Sequence, residues 1–542
     1  MSSYRVPLEE ILSSEEYRAI DAFCEGRRGP DALVDIARFL GSSFGVSIDL
    51  DQDIVAGYAT DSSNLPGYAS ALARPASVRE CAVLLRACSS SRIPVTLSAG
   101  RSNLTGSATP ASGLVISLSA MQNPMVNVDP VARTVTSPVG IILEDMRKAV
   151  LEQTRGKLLF PVDPTSRLDA MVGGALSCNA SGFMPGERGS MRPWVCAIGF
   201  LLMNGLQVRA ERGRYVSENG RFVLIHGPDE TPVPVPNYPR PSIKNASGPY
   251  SNPEGRVDLV DLIVGSEGIF GLITDCSLAL SGHPGEYLDL FISLPDETDA
   301  LGLLSYLSGD RPEPFSTLTA LEYFGPNCRR YMDHEQRFFR ADDTVGVYLQ
   351  VPLTDQSMDD LAVLWLDILR EAPCRIRDEA IMILLSESDR RIFFEARHSM
   401  PANSLEVVKR RGTHTIMTDT VVPLERFAEF LEFTHGLIRS EGLDYLVFGH
   451  LGDCHLHFNI LPERDQLAKA LDVYDRIIEA SATFGGVYSG EHGTGKRKRG
   501  DFLKCYGTGA AAQVLATKRA LDHHLLLNRG NVVECPGGEP EE

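Results

Sequence analysis

The spacing of apolar and polar residues changes near Tyr287, and the two parts of the chain predict different architectures. Before this point, helical patterns over 1–47 and 77–90 accompany short apolar strands at 93–97 and 113–118, with glycine-rich loops between them. After it, amphipathic helices alternate with strands. The helices predicted there are 299–307, 359–371 and 424–440, and the predicted strands are 345–351, 415–422 and 445–448. The pattern therefore indicates a second lobe of the α+β type.

A predicted β-hairpin at 445–460 carries the most informative polar residues of this second lobe. Alternation along its second strand puts His455, His457 and Asn459 on one face and three apolar side chains on the other. His450 lies across the turn. Several imidazoles on one polar face are typical of a binding site. The alternative is that these histidines are hydrogen-bonded packing residues.

A glycine-rich loop at 489–495 adds a carboxylate and another imidazole. Imidazoles joined by a carboxylate such as Glu491 form the ligand set of a divalent transition metal, most often Zn²⁺. His492 would then be a free base beside a Lewis acid. The two segments together predict a metal-assisted reaction.

Three loops rich in small residues precede the second lobe, at 98–106, 160–182 and 264–274. Loops of Gly, Ala and Ser let backbone N–H groups approach an anion, and a pyrophosphate is the usual guest. None of the three matches the G-x-G-x-x-G or Walker pattern, which disfavours a Rossmann domain or a P-loop NTPase. Any one of them alone would be read as a turn. Three such loops in this order, ahead of the His/Glu cluster, are a more specific indication of a binding site than any one of them.

Length and composition restrict the class of protein. At 542 residues the chain exceeds what one core supports, and its net charge of −19 argues against nucleic acid and against an anionic membrane surface. Eleven cysteines without a Cys-x-x-Cys pair argue against iron–sulfur clusters and disulfides and favour a reducing cytosol. No apolar run reaches the roughly 18 residues of a membrane span, and the N-terminus lacks a signal-peptide core. We expect a cytoplasmic protein, with peripheral attachment to the inner membrane as the alternative.

The motifs, taken in order, resemble those of one family. The first half contributes Asn-Leu-Thr-Gly at 103–106, Pro-x-Asp-Pro-x-Ser at 161–166 and Gly-Ser-Glu-Gly-Ile-Phe-Gly-Leu-Ile-Thr at 265–274. The second half contributes His-x-Gly-Asp-x-x-x-His at 450–457 and Gly-Glu-His-Gly-x-Gly at 490–495. This order resembles the FAD-linked D-2-hydroxyacid dehydrogenases and oxidases of the vanillyl-alcohol oxidase/p-cresol methylhydroxylase superfamily. That family includes D-lactate dehydrogenases, the D-subunit of glycolate oxidase and D-2-hydroxyglutarate dehydrogenase.

The resemblance implies an α+β fold of two lobes, in which an FAD-binding domain of the p-cresol methylhydroxylase (PCMH) type carries an α+β cap domain with an antiparallel sheet. The expected division is an N-terminal helical segment, the FAD-binding domain, the cap, a segment returning to the FAD site and a disordered tail, at 1–54, 55–282, 283–480, 481–535 and 536–542. The Pro/Gly-rich stretch 227–254 is predicted to be a surface insertion.

By the same resemblance FAD is bound without a covalent link. The residues implied to contact it are Ala99, Gly100, Arg101, Ser102, Asn103, Leu104, Thr105, Gly106, Asp163, Pro164, Ser166, Gly173, Gly174, Asn179, Gly182, Glu267, Gly268, Ile273 and Asn528. Arg101 departs from the family pattern. It would either pair with the diphosphate or push its loop outward.

The resemblance also assigns roles around the reacting centre. His450, His457 and Glu491 match metal ligands, and His492 matches the base that takes the substrate proton. Arg397 matches a carboxylate-binding residue, with an ordinary surface arginine as the alternative. His455 replaces a substrate-contacting Asn; we expect a substrate contact, and a fourth metal ligand is the other possibility.

The function implied is oxidation of a D-2-hydroxyacid, D-lactate-like, to the 2-oxoacid, with hydride passing to the flavin. A Lys expected two residues before Asp419 is Met417 here, and Pro401 replaces a hydroxyl residue, which disfavours D-2-hydroxyglutarate. The electron acceptor stays open, and a homodimer is compatible with the pattern. Two alternatives are an FAD-dependent transferase like alkyl-dihydroxyacetonephosphate synthase and a non-catalytic flavin-binding subunit of an oxidase complex.

Overall fold

The computed structural model describes residues 3–310 and 312–535, so the tail predicted at 536–542 lies outside the described residues. The first lobe contains a four-stranded sheet with parallel pairs and a five-stranded antiparallel sheet. Its helices are Ser14–Cys24, Gly29–Phe44, Gln52–Ala56, Val78–Ser91, Leu143–Gln153, Val172–Cys178 and Leu259–Ile263. Its strands are Arg5–Pro7, Ile48–Asp49, Ala71–Ala73, Val95–Ser98, Leu114–Ser117, Asn127–Asp129, Thr134–Pro138, Leu158–Leu159, Val195–Leu201, Gln207–Glu211, Arg221–His226, Asp229–Pro234, Leu272–Ala279 and Ser281–Gly282.

The second lobe is built on a seven-stranded sheet whose neighbouring strands are all antiparallel. In spatial order the strands are Ile381–Ile383, Tyr287–Leu294, Val345–Pro352, Ala320–Phe324, Tyr445–His450, His455–Ile460 and Ile416–Met417. The helices of this part and of the C-terminal region are Glu297–Ser305, Pro312–Thr317, Met358–Glu371, Glu387–Arg410, Leu424–Ser440, Leu467–Thr483 and Arg499–Leu521. The expected α+β fold with an antiparallel sheet in the cap is confirmed.

Two large apolar cores follow the change of pattern along the chain. The first joins side chains from Val6 to Leu280 with others from Ile478 to Val533. The second joins side chains between Leu288 and Ile477, on one face of the seven-stranded sheet and the helices packed on it. Because the chain leaves the first core and comes back to it, the C-terminal region packs with the N-terminal one.

The return of the chain is fixed by backbone pairing at the edge of the four-stranded sheet. The amide of Val95 donates to Leu526 (3.0 Å), and the amide of Asn528 donates to Val95 (2.7 Å). The Asn528 side chain then accepts from the Leu97 amide at 2.7 Å and donates to the Glu267 carbonyl at 2.8 Å. One amide side chain therefore ties the C-terminal segment to two loops of the first lobe.

Two local predictions were wrong, and one segment contains an element that was not predicted. The strand expected at 415–422 is regular only over Ile416–Met417, because Asp419 and Val421 make isolated bridges to the 487–489 segment instead. The stretch 227–254 is not a surface insertion: it begins with a strand, and its later part is buried, with the Ala246 amide donating to Ser489 at 3.0 Å. The N-terminal segment also contains a strand, Arg5–Pro7, which pairs in parallel with Val223–Ile225.

Two further observations concern the whole described chain. None of the helices in the described ranges combines the length and the apolar character needed to cross a bilayer. All eleven cysteines are free thiols, in agreement with the expectation from their spacing.

Candidate active site

A cavity of about 530 Å³ lies where the two lobes meet. The glycine-rich loops of the first lobe line one end of it. The other end is lined by the cap, through the helix Glu387–Arg410 and the hairpin strands, and by the 489–495 loop. One continuous space therefore connects the predicted cofactor loops with the predicted metal and base residues.

Most residues expected to contact FAD line this cavity. They are Ala99, Gly100, Arg101, Ser102, Asn103, Leu104, Pro164, Ser166, Gly173, Gly174, Gly182, Glu267, Gly268, Ile273 and Asn528. The other four, Thr105, Gly106, Asp163 and Asn179, are not part of the lining. Thr105 and Asn179 are buried and bind other parts of the protein: Thr105 accepts from the Lys496 amide at 2.9 Å, and Asn179 accepts from the Arg192 amide at 2.9 Å.

The 489–495 loop is held directly against the cofactor loops. The buried carboxylate of Glu267 accepts from the amides of Thr494 and Gly495, each at 2.7 Å. The carbonyl of His492 accepts from Asn103 Nδ2 at 3.4 Å and from Thr105 Oγ1 at 3.3 Å. A Cβ on Gly495 would lie 2.2 Å from the Thr105 carbonyl oxygen, so only glycine allows this approach.

The Arg101 side chain binds a segment outside its own loop, and both of its expected roles stay predictions. Its backbone is left-handed (φ 58°), and its guanidinium donates to the Gly57 carbonyl and lies 4.5 Å from the centre of the Tyr58 ring. These contacts hold the charged group on the segment outside its own loop.

His450, His457 and Glu491 come together at the cap end of the cavity. Nε2 of His450 lies 3.2 Å from Oε2 of Glu491, and Nε2 of His457 lies 3.2 Å from Oε1 of the same carboxylate. The opposite ring nitrogens are engaged: His450 Nδ1 contacts Glu322 Oε1 at 2.7 Å, and His457 Nδ1 contacts the Thr418 carbonyl at 3.3 Å. Outer partners of this kind orient an imidazole for metal binding through its other nitrogen. The donor set therefore fits a divalent metal.

The charges around Glu491 favour its ionised form. Burial acts to raise the pKa of Glu491, but the Lys244 ammonium and His450 outweigh it and lower the pKa well below the usual value. Lys244 is itself buried, with its Nζ 3.1 Å from Glu491 and 3.5 Å from Asp453. Its partners therefore hold a lysine in a place where an unpaired ammonium would be costly.

His492 lies next to this cluster and is oriented by Asp419. Nδ1 of His492 is 3.4 Å from Asp419 Oδ2, its amide donates to the same oxygen at 3.0 Å, and its Nε2 is 3.6 Å from Glu491. Burial lowers the pKa of His492 to about 4, against the raising effect of the Asp419 charge. The imidazole is therefore neutral at pH 7 and able to accept a proton.

The two residues expected to bind substrate lie in different places. Arg397 lines the cavity; its Nη2 is 2.6 Å from Glu322, and it is not a surface arginine, since only 8% of it is exposed. His455 is completely buried and does not line the cavity, while its Nε2 contacts Asp419 Oδ1 at 2.8 Å. His455 therefore has no direct access to a molecule in the cavity.

Sequence reasoning missed Lys244 and Glu322 and gave Asn459 no role. Asn459 lines the cavity, and its buried Nδ2 has no hydrogen-bond partner in the described ranges. The sequence could have indicated this position, because Asn459 lies two residues after His457 and therefore on the same face of the strand. No local signal marks the other two, because Lys244 lies in the Pro/Gly-rich stretch and Glu322 in the strand Ala320–Phe324, which is otherwise apolar.

Comparison with protein families shows to which family the chain belongs. An FAD binding domain family matches residues 69–211, and the family of FAD linked oxidases, C-terminal domain, matches residues 369–532, so that together they span more than half of the chain. The chain belongs to the FAD-linked oxidases. It is an FAD-linked oxidoreductase of the D-lactate and D-2-hydroxyglutarate dehydrogenase type.

Individual relatives of this FAD-linked oxidase include two curated dehydrogenases. A D-lactate dehydrogenase of Anaerostipes hadrus is 26% identical over 85% of this chain and 89% of the relative. A D-2-hydroxyglutarate dehydrogenase of Xanthomonas citri pv. viticola is also 26% identical, over 86% of this chain and 89% of the relative. The fold is similar to that of p-cresol methylhydroxylase with substrate bound, with a TM-score of 0.68 at 14% identity over 98% of this chain and 100% of that one.

The site makes a prediction about protons and metal. Burial lowers the pKa of His450, but the Glu322 carboxylate outweighs this and raises the pKa to about 9. Below pH 9 a proton must therefore leave before His450 can bind a metal, and metal affinity should fall by about tenfold for each pH unit below that value. Calorimetric titration of the metal-free protein with Zn²⁺, in two buffers of different ionisation enthalpy at pH 7.5, should show release of about one proton per metal.

The matched control for this measurement is Glu322→Gln, which removes the charge that raises the pKa of His450. This variant should release a smaller fraction of a proton at the same pH. Metal binding without proton release in the unmodified protein would contradict the prediction.

Proposed function

We propose that the protein oxidises a small D-2-hydroxyacid, D-lactate-like, to the 2-oxoacid, with FAD bound non-covalently as the hydride acceptor and a divalent metal, Zn²⁺ in the first instance, held by His450, His457 and Glu491. One observation carries the proposal. The two Nε2 atoms face the two oxygens of Glu491 at 3.2 Å each, in a cavity that the FAD loops also line.

In this proposal one lobe binds the cofactor and the other binds the substrate. Residues 55–282, with 481–535, would bind FAD, and residues 283–480 would form the cap that holds the substrate. The contacts of Glu267 with Thr494 and Gly495 support this arrangement, because they join the segment that carries His492 to the cofactor loops. Substrate would bind between the two parts, and the base would come from the FAD side.

Arg397 would bind the substrate carboxylate. It lines the cavity, and its guanidinium has further N–H donors beyond the one directed at Glu322. Glu322 contacts both Arg397 and His450, at 2.6 and 2.7 Å, and therefore orients the carboxylate-binding group relative to the ligand cluster. Asn459 Nδ2 is a further donor in the same lining.

His492 would accept the proton of the substrate hydroxyl. Its neutral imidazole is held at Nδ1 by Asp419, which leaves Nε2 as the proton acceptor on the Glu491 side. Loss of this proton, together with loss of the hydrogen on the same carbon as hydride, converts the hydroxyl into a carbonyl. When bound, FAD accepts that hydride at its flavin ring, and a divalent metal lowers the pKa of a hydroxyl coordinated to it.

The cap end of the cavity favours a monocarboxylate with a small or apolar side chain. Of its lining residues in the described part of the chain, Arg397 is the one lysine or arginine. Pro401, Met417 and Phe448 contribute mostly apolar surface around it. A second carboxylate would lose its hydration there without gaining a cation, which is costly. We therefore place lactate-like acids ahead of 2-hydroxyglutarate.

Anaerobic reduction of the bound flavin tests the function. The yellow absorbance should bleach with D-lactate or another D-2-hydroxymonocarboxylate and stay unchanged with the L-enantiomers. After verified removal of metal by a chelator, the flavin spectrum should persist and the bleaching should stop. If no 2-hydroxyacid reduces the flavin, the proposed reaction is wrong. If the metal-free protein keeps full activity, the proposed role of the metal is wrong and the oxidation reaction still stands.

Replacement of His492 tests the base. His492→Ala should slow flavin reduction by roughly 100- to 10,000-fold, the range expected for loss of a general base, and leave FAD content unchanged. His226→Ala is the matched control, because His226 lies on the surface sheet and contacts Glu10. Stopped-flow reduction of His492→Ala at the unmodified rate would refute this role.

Replacement of Met417 tests the substrate class. Met417→Lys should raise kcat/KM for D-2-hydroxyglutarate by at least about tenfold, because it supplies a cation for the second carboxylate. Met417→Leu, which keeps the wall apolar, should give no such gain. If the two variants had equal kcat/KM for D-2-hydroxyglutarate, Met417 would not lie where the second carboxylate binds.

A further inference from the structure

We propose that His455 is an additional metal ligand that binds through Nδ1. It would complete a set of three imidazoles and one carboxylate with His450, His457 and Glu491. This inference rests on the metal site of the proposed function and extends it by one residue.

The first support is the position of His455 in the hairpin. It is the cross-strand partner of His450, and it lies two residues before His457 on the same strand face. Its ring centre is 5.3 Å from that of His450 and 4.6 Å from that of His457. One ligand atom from each of these three histidines and from Glu491 lies within 4.8 Å of the others.

The second support is the state of its two ring nitrogens. Nε2 contacts the Asp419 carboxylate at 2.8 Å, which fixes the proton on that side. Nδ1 then carries a lone pair, is fully buried, and has no hydrogen-bond partner among residues 3–310 and 312–535. A buried acceptor without a partner costs free energy, and a bound cation would remove that cost.

The third support is that His455 repeats the arrangement of the other two histidines. Each imidazole has one nitrogen held by an oxygen, from Glu322 for His450, from the Thr418 carbonyl for His457 and from Asp419 for His455. His450 and His457 direct the other nitrogen at Glu491, and in His455 the other nitrogen is the unpartnered Nδ1. A carboxylate or carbonyl behind a ligating imidazole is the usual outer support of a metal site.

A competing donor group, formed by Asp419, His457, Glu491 and His492, fits less well. The two oxygens of Asp419 are already engaged, since they accept from His455 Nε2, Ser489 Oγ at 2.5 Å, Lys498 Nζ at 2.9 Å and the His492 amide at 3.0 Å. A ligand oxygen would have to give up these bonds. The three-imidazole set leaves these four donors on Asp419. In that set Glu491 exchanges its contacts with His450 and His457 for the ion, and all of the imidazoles keep their outer partners.

The consequence for the reaction concerns which residues would hold the ion. Four side chains of the protein would bind it, and the ion would supply Lewis-acid chemistry to the substrate hydroxyl. His455 would then contribute to substrate binding through the metal, without touching the substrate.

The first test counts the histidines that bind the metal in the unmodified holoenzyme. After replacement of the metal by Co²⁺, every coordinated histidine places one ring N–H near the paramagnetic ion. These N–H groups are anchored by Glu322, Thr418 and Asp419, so they should exchange slowly. Proton NMR in H₂O should show three strongly shifted exchangeable resonances. Two such resonances would overturn the assignment of His455.

Substitution provides the second test. His455→Asn should bind Zn²⁺ at least tenfold more weakly in competition with a chelator, since even outer partners of metal ligands are worth about 10- to 100-fold. Its FAD content should be unchanged. The control is His435→Asn, another buried histidine, which contacts Tyr445 at 2.6 Å and should keep the original affinity.

The outcomes separate this inference from the proposed function. Equal Zn²⁺ affinity of His455→Asn and the unmodified protein would overturn the role of His455 and leave the three-residue site in place. Failure of the unmodified protein to bind any divalent metal would overturn both. Flavin reduction by D-lactate tests the oxidation independently of either result.

Discussion

The buried carboxylate of Asp419 holds the candidate site together. It is completely inaccessible, and burial alone would raise its pKa, but His492, Lys498 and His455 lower it well below the usual value. An ionised carboxylate in such a place is tolerated only while its donors are present, and removal of one partner of a buried pair typically costs about 3–5 kcal/mol. Its donors come from the hairpin, the 489–495 loop and the start of a long helix. One charge therefore ties the hairpin to the segment from Ser489 to Lys498.

A second group of charges balances the cap side of the cavity. Glu322 lies between His450 and Arg397, and both hold its pKa to about 2 although burial acts in the opposite direction. Lys244 likewise lowers the pKa of Glu491. It also contacts Asp453, but burial outweighs this contact and raises the pKa of Asp453. Glu322, Glu491 and Asp453 are thus each paired with a cation from another segment. This matching explains how so many ionised groups can share a water-poor region.

The parts of the fold that follow from periodicity were predictable, and those that follow from long-range packing were not. The hairpin at 445–460 and the helices Met358–Glu371 and Leu424–Ser440 match their predictions, because their apolar faces repeat at 2 or near 3.6 residues. Lys244 escaped prediction because nothing nearby in sequence shows that its segment is covered by the C-terminal loop. His455 was recognised as unusual, but only the three-dimensional structure shows that it faces Asp419, behind the cavity wall.

The pairing of Asn528 with Leu97 and Glu267 also has a consequence for biosynthesis. The loops that would bind the flavin are translated before the segment that closes them, since Asn528 follows Glu267 by 261 residues. Stable capture of the cofactor would then wait until the segment around Asn528 has been made. A chain terminated ahead of that segment would be expected to remain colourless.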